Sequence, residues 1–157
     1  MGLQEGKKMY SKSYYGNSGV RELCHAVKGR KKNIPIRIMA EFLEQFVDDH
    51  SIIIPAPQHY GYADYTLEIA QLICKAKGSR VADILKCIPH DSLYQQKLIG
   101  NVLNLELLLN GAAPSYGKLF FLDNVISTGT TYKAAQSLLG RELIPLVYAI
   151  DERRYKS

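Results

Sequence analysis

Long apolar runs, paired cysteines, a leader-like N-terminus and internal repeats are all missing from this chain. Its apolar runs fall well short of the ~18 to 20 residues that span a bilayer, so no transmembrane helix is expected. Cys24, Cys74 and Cys87 are odd in number and scattered, with no Cys-x-x-Cys spacing. That supports neither a zinc ribbon nor a disulfide framework, and reduced thiols are the expectation. Met1 to Ser18 is polar and basic without an apolar core, so no secretory signal is visible, and Gly6 stands where a myristoylation signal needs Ser or Thr. A cytoplasmic location is the expectation. Acidic residues are the scarcer charge, 15 against 20 basic, for a net +5. The excess sits in Lys28 to Lys32 and Arg153 to Lys156, which read as a solvated loop and a solvated tail.

What is present is the balance of a globular protein, with 46% hydrophobic and 22% charged residues in 157. One domain over residues 1–157 is expected, opening with an irregular arm over 1–17. Val20, Leu23, Cys24 and Val27 then fall on one face of a helix ending near Gly29. His25 lies beside that face as a boundary residue. A second helix, with Pro35 in its first turn, carries Met39, Phe42, Leu43 and Phe46 at the same spacing and is expected to end near Asp48 to His50. Short apolar runs predict strands at 52–54, 81–85, 118–122 and 146–150, with helices between them. A strand, helix, strand sequence with so long a connection implies parallel pairing, and the class is α/β. Residues 87–117 are the least legible, with Leu98, Val102, Leu105 and Leu109 spaced for a helix. Gly111 to Leu119 is not a P-loop, because its spacing is one residue too long and Leu119 replaces the required hydroxyl.

The chain is organised around Lys118 to Thr131. Leu119 to Leu122 reads as a strand buried on both faces, and Asp123-Asn124 follows it as an acidic turn. Ser127-Thr128-Gly129-Thr130-Thr131 then offers consecutive backbone N–H groups and four hydroxyls just before a helical pattern. A helix N-terminus carries unsatisfied donors and partial positive charge, so this turn suits a phosphate. The bland alternative is a capped helix after a buried strand, with Asp123 and Thr128 as turn and cap residues.

From Leu122 to Thr131 the stretch resembles the 5-phosphoribosyl pyrophosphate (PRPP) signature of type I phosphoribosyltransferases, with Asn124 where a second acid is expected. The similarity runs over about residues 19–150 and is closest to the ComF-type branch, without its zinc ribbon. In that branch a basic run precedes a helix as Ala26 to Arg30 does here, and a strand leads into a Pro-x-Pro loop as at Pro55-Ala56-Pro57. The resemblance implies a three-layer parallel sheet with a small helical hood over 87–117. It implies transfer of 5-phosphoribosyl from PRPP to a nitrogenous base, with release of pyrophosphate. Ser127, Thr128, Gly129, Thr130 and Thr131 would hold the 5-phosphate, and Asp123 and Asn124 would be the catalytic pair at the ribose. Pro57, Gln58 and His59 would line the pyrophosphate loop, where the expected arginine is Tyr60 and the expected asparagine is Ala63. Mg²⁺ would be carried mainly by PRPP, with no metal site of the protein's own.

Asn124 removes a negative charge, which favours binding over turnover, so Asn124→Asp is expected to raise turnover if the site is a weakened enzyme. A non-catalytic sensor of PRPP or a nucleotide with the same fold is therefore the leading alternative. A DNA-uptake-type accessory protein is a third, prompted by the net charge, but no nucleic-acid motif supports it. The acceptor pocket would draw on the hood and the tail. Tyr60, Tyr62, Tyr116 and Tyr132 are candidates to stack on a base, each individually more ordinary as packing. No membrane partner is expected, and a homodimer is compatible with the chain, whose oligomeric state the sequence leaves open.

Overall fold

The computed structural model describes residues 2–4, 7–13, 18–29, 33–59, 61–88 and 107–154. Tyr60, the basic residues 30–32, the tail 155–157 and most of the expected hood, 89–106, lie outside the described residues. The elements in order are β1 (Gly2–Gln4), β2 (Lys7–Ser13), α1 (Ser18–Ala26), α2 (Asn33–Glu44), β3 (Ser51–Pro55) and α3 (Tyr65–Lys77). They continue with β4 (Arg80–Val81), β5 (Leu85–Cys87), β6 (Leu107–Leu109), β7 (Lys118–Ile126), α4 (Thr130–Leu139) and β8 (Ile144–Ile150).

The fold is α/β, and its centre is the parallel run β8-β7-β3-β4, extended at one edge by β2 and β1. Alternation along the strands sorts the core into two layers. Ile53, Phe120, Leu122 and Tyr148 face α1, α2 and α3 through Cys24, Met39, Leu43, Ile69 and Ile73. Ile52, Ile54, Leu119, Phe121 and Val147 face the other way, onto Tyr132 and Ala135 of α4 and onto Leu85. β3 and β7, apolar on both sides, are therefore central strands. Gly78 (φ 74°) and Gly140 (φ 63°) end α3 and α4 in the left-handed conformation, and each donates its N–H to a carbonyl of the last turn.

Four expectations change. Residues 2–4 and 7–13, expected as an irregular arm, are strands, and β2 adds in parallel to β8. The edge of β8 offers a full row of backbone groups there, and pairing satisfies them whatever the side chains. Second, 81–85 is not one strand. After Ala82 donates to the Ile53 carbonyl (2.9 Å) the chain leaves the sheet, and Leu85–Cys87 pairs with Leu107–Leu109 in a separate antiparallel ribbon. Leu109, placed on a helical face from its spacing, is thus in a strand. Third, β7 does not stop at Leu122 but runs to Ile126, so Asp123 and Asn124 are strand residues rather than a turn. Pairing of Asp123 with Val147 and of Val125 with Ala149 carries the ladder that far. Fourth, α2 ends at Glu44, ahead of the 48–50 expected.

Candidate functional site

Open parallel sheets place their crevice beyond the carboxyl ends of the strands. Here that crevice is a cleft of about 400 Å³, lined by the ends of α1 and β7, the turn into α4 and the loop after β3. It gathers every site residue expected from the sequence: Pro57, Gln58, His59, Asp123, Asn124 and Ser127 to Thr131.

The turn is built on Gly129. Its φ of 80° and ψ of 8° are left-handed, and it stands at the N-cap of α4 with no side-chain cap bond. Its carbonyl accepts the N–H of Lys133 (2.9 Å), opening the helix. The Thr128 and Thr130 hydroxyls bond each other at 2.8 Å, and the Thr130 N–H reaches Thr128 Oγ1 only at 3.4 Å. The α4 N-terminus thus meets the cleft with backbone donors and hydroxyls together, the chemistry of an anion site.

Asp123 precedes that turn, in the last part of β7. One carboxylate oxygen accepts the Asn124 N–H at 2.8 Å. Burial pushes the carboxyl up to about 7, opposed by that N–H and by the charge of Lys28. A carboxyl poised there changes charge near neutrality. Because its folded value lies above its ordinary one, the fold gains stability from the bound proton at pH below about 4, and this is lost as pH rises through about 7.

Asn124 behaves differently from the expectation of a group facing the ribose. It is 6% exposed, its Nδ2 donates to the Cys24 carbonyl at 3.0 Å, and its Oδ1 accepts the Tyr65 hydroxyl at 3.1 Å. The first bond has a cause in α1. The Lys28 N–H turns to His25 and the Gly29 N–H to Ala26, tightening the helix end and leaving the Cys24 carbonyl for Asn124. One side chain thereby ties α1 and α3 to β7 beside Asp123.

The loop after β3 is shaped by its own bonds. Gln58 N–H donates to Tyr62 and Gly61 N–H to Gln58, while the Ala56 carbonyl accepts the Thr66 hydroxyl at 2.7 Å. Gly61, at φ 136°, accepts the Cys87 N–H at 2.7 Å, joining the loop to β5.

Sequence reading missed Cys24, Lys28, Tyr65, Cys87, Asp151 and Arg154, all of which line the cleft. His25 lines it too, so the boundary residue of α1 reaches the site. Cys24 is held at about 12 by burial and then by the Asp123 charge, so it stays a thiol rather than a nucleophile. Asp151 accepts the Arg153 N–H at 3.2 Å and meets Arg154 Nε at 3.8 Å, so the tail read as solvated contributes an ion pair to the cleft wall. Of the four candidate tyrosines Tyr60 lies outside the described residues, and the other three are engaged elsewhere. Tyr62 packs under Lys86, Tyr116 under Arg80, and Tyr132 is buried with its hydroxyl on the Leu143 carbonyl.

For Mg²⁺, the described residues lining the cleft offer the Asp123 and Asp151 carboxylates and the Ser127 and threonine hydroxyls, a hard-oxygen set with no third carboxylate among the described residues. No cluster of three or more His, Cys, Asp or Glu occurs among the described residues. That set fits a cation held largely by phosphate oxygens and water. No helix among the described residues is long and apolar enough to cross a membrane.

No family model and no curated protein matches the sequence. Among solved structures, the chain is similar to a hypoxanthine phosphoribosyltransferase from Staphylococcus aureus, at 12% identity and TM-score 0.43, over 89% of this chain and 68% of that one. It is also similar to a hypothetical protein from Neisseria gonorrhoeae with bound ppGpp, at 10% identity and TM-score 0.40, over 94% and 71% of the two chains. Neither likeness bears on the chemistry of the cleft, which rests on the residues themselves.

Proposed function

We propose that this chain is a phosphoribosyltransferase-like protein, akin to the ComF-type branch, that binds PRPP and transfers its 5-phosphoribosyl group to a nitrogenous base. The observation that carries the reading is the left-handed Gly129 turn at the α4 N-terminus, sharing a cleft with Asp123 at the end of a central parallel strand. Backbone N–H groups of 127–131 and the Thr128 and Thr131 hydroxyls hold the 5-phosphate. Asp123 accepts hydrogen bonds from the ribose hydroxyls. As the bond from C1 to pyrophosphate oxygen breaks and the bond to the acceptor nitrogen forms, positive charge develops on the sugar, and the Asp123 carboxylate favours it. Mg²⁺ bound with PRPP supplies charge neutralisation of the departing pyrophosphate.

Pyrophosphate release tests transfer. With PRPP, Mg²⁺ and a panel of purine and pyrimidine bases, the protein is expected to release pyrophosphate with at least one base. Asp123→Asn should lower kcat by about a hundredfold and change PRPP affinity far less. Silence across the panel, with PRPP still bound, selects the second reading, a PRPP or nucleotide sensor. The engagement of Asn124 with Cys24 and Tyr65 favours that reading, because Asp123 is left as the one carboxylate of the pair.

A pH profile tests Asp123 separately. Ribose 5-phosphate affinity should rise with pH in two steps, one from the phosphate near ~6 and one from Asp123 near about 7. In Asp123→Asn the upper step should vanish. An unchanged profile removes Asp123 from the ribose site.

A further inference from the structure

We propose that Lys28 is the cation of a second anion subsite in the cleft, taking the pyrophosphate end of PRPP in place of the arginine that the loop after β3 lacks. The subsite deepens the function proposed above and, for PRPP, rests on it. The loop presents Pro57, Gln58 and His59 to the cleft without lysine or arginine. Among the described residues the cleft has two such cations, Lys28 and Arg154. Arg154 already faces Asp151, at the far side of the Gly129 turn in β-strand order, after β8. Lys28 has no ion pair among the described residues, and its charge reaches both Asp123 and Cys24.

The position of Lys28 is fixed by the same bond that ties α1 to β7. Its own N–H bonds His25 rather than Cys24, which turns the chain at the end of α1 and releases the Cys24 carbonyl to Asn124 Nδ2. Asn124 is therefore a positioning residue, holding the last turn of α1, and with it Lys28, against the wall that carries Asp123. An aspartate at 124 cannot donate this bond at neutral pH, which gives the departure from the two-acid pattern a physical reason. A flexible ammonium supplies point charge to a polyphosphate without the bidentate geometry of arginine.

Calorimetry with three probes tests the subsite, using inorganic pyrophosphate, PRPP and ribose 5-phosphate, each with Mg²⁺ present. Lys28→Gln should weaken pyrophosphate and PRPP by about tenfold or more, the scale of one charge-assisted contact, and leave ribose 5-phosphate within about threefold. Lys28→Arg should keep most of the affinity for both. Lys28 is exposed, so the variants should melt with the wild type. Equal losses for all three probes, or no loss for pyrophosphate, overturn the subsite. Wild-type protein that binds pyrophosphate through Lys28 but not ribose 5-phosphate keeps the subsite and defeats the assignment of the Gly129 turn.

Discussion

Gly129→Val should abolish binding of ribose 5-phosphate and PRPP while leaving a folded protein. At φ 80° the residue is in the left-handed region, which costs a side-chain-bearing residue about 1 to 2 kcal/mol and a β-branched one more. The chain can relieve that strain only by rotating the peptides on either side, and these carry N–H groups of the turn that lines the cleft. Two lost donors to a charged phosphate, at about 1.5 to 3 kcal/mol each, weaken binding by a hundredfold or more. Gly129→Ala should fall between, since it imposes the φ penalty without the second branch. Calorimetry with ribose 5-phosphate on melted-checked protein reads both. Wild-type affinity in folded Gly129→Val would place the phosphate elsewhere.

Asn124→Asp should destabilise the protein, and do so more as pH rises. The carboxylate would face the Cys24 carbonyl where the amide now donates at 3.0 Å, in a residue only 6% exposed and next to Asp123. Losing the donor and burying a charge together cost about 3 kcal/mol or more at neutral pH. For a chain of this size that is a fall in Tm of about 6 to 12 °C. When protonated, the acid can donate to Cys24 and accept from Tyr65, much as the amide does. Its folded pKa is therefore raised above its unfolded value near ~3.9, so the loss is small below that value and grows as pH increases. Melting curves at pH 5 and pH 8 should diverge for the variant relative to wild type. Equal offsets at both pH values contradict the bond pattern. From sequence alone the same substitution is expected to raise turnover if the site is a weakened enzyme; the geometry adds a cost in stability, because the side chain at 124 braces two helices.

The contrast marks what a single sequence can carry. The stretch from Leu119 to Thr131 is legible because all its cues are contiguous: an apolar run, an acid, hydroxyls, a glycine and a helical pattern. Asn124 is not, because its two partners lie 100 and 59 residues away, and nothing local distinguishes a bracing amide from a ribose-binding one. Lys28 and Arg154 sit in basic runs whose composition is that of solvent-facing chain, and only the sheet topology turns them toward the cleft. The strands at 7–13 are hidden for another reason. Their sequence has neither clean alternation nor an apolar run, and β2 exists because the edge of β8 is available to pair with it. A weak periodic signal misled at Leu109, which completes a helical spacing with Leu98, Val102 and Leu105 but pairs with Leu85 in the ribbon.

The most direct test of the central claim is a crystal of this protein soaked with PRPP and Mg²⁺. The account predicts phosphate density within hydrogen-bond reach of the backbone N–H groups of Ser127 to Thr131, with ribose hydroxyls on Asp123. Well-defined PRPP density anywhere else in the cleft, with the Gly129 turn unoccupied, would contradict it.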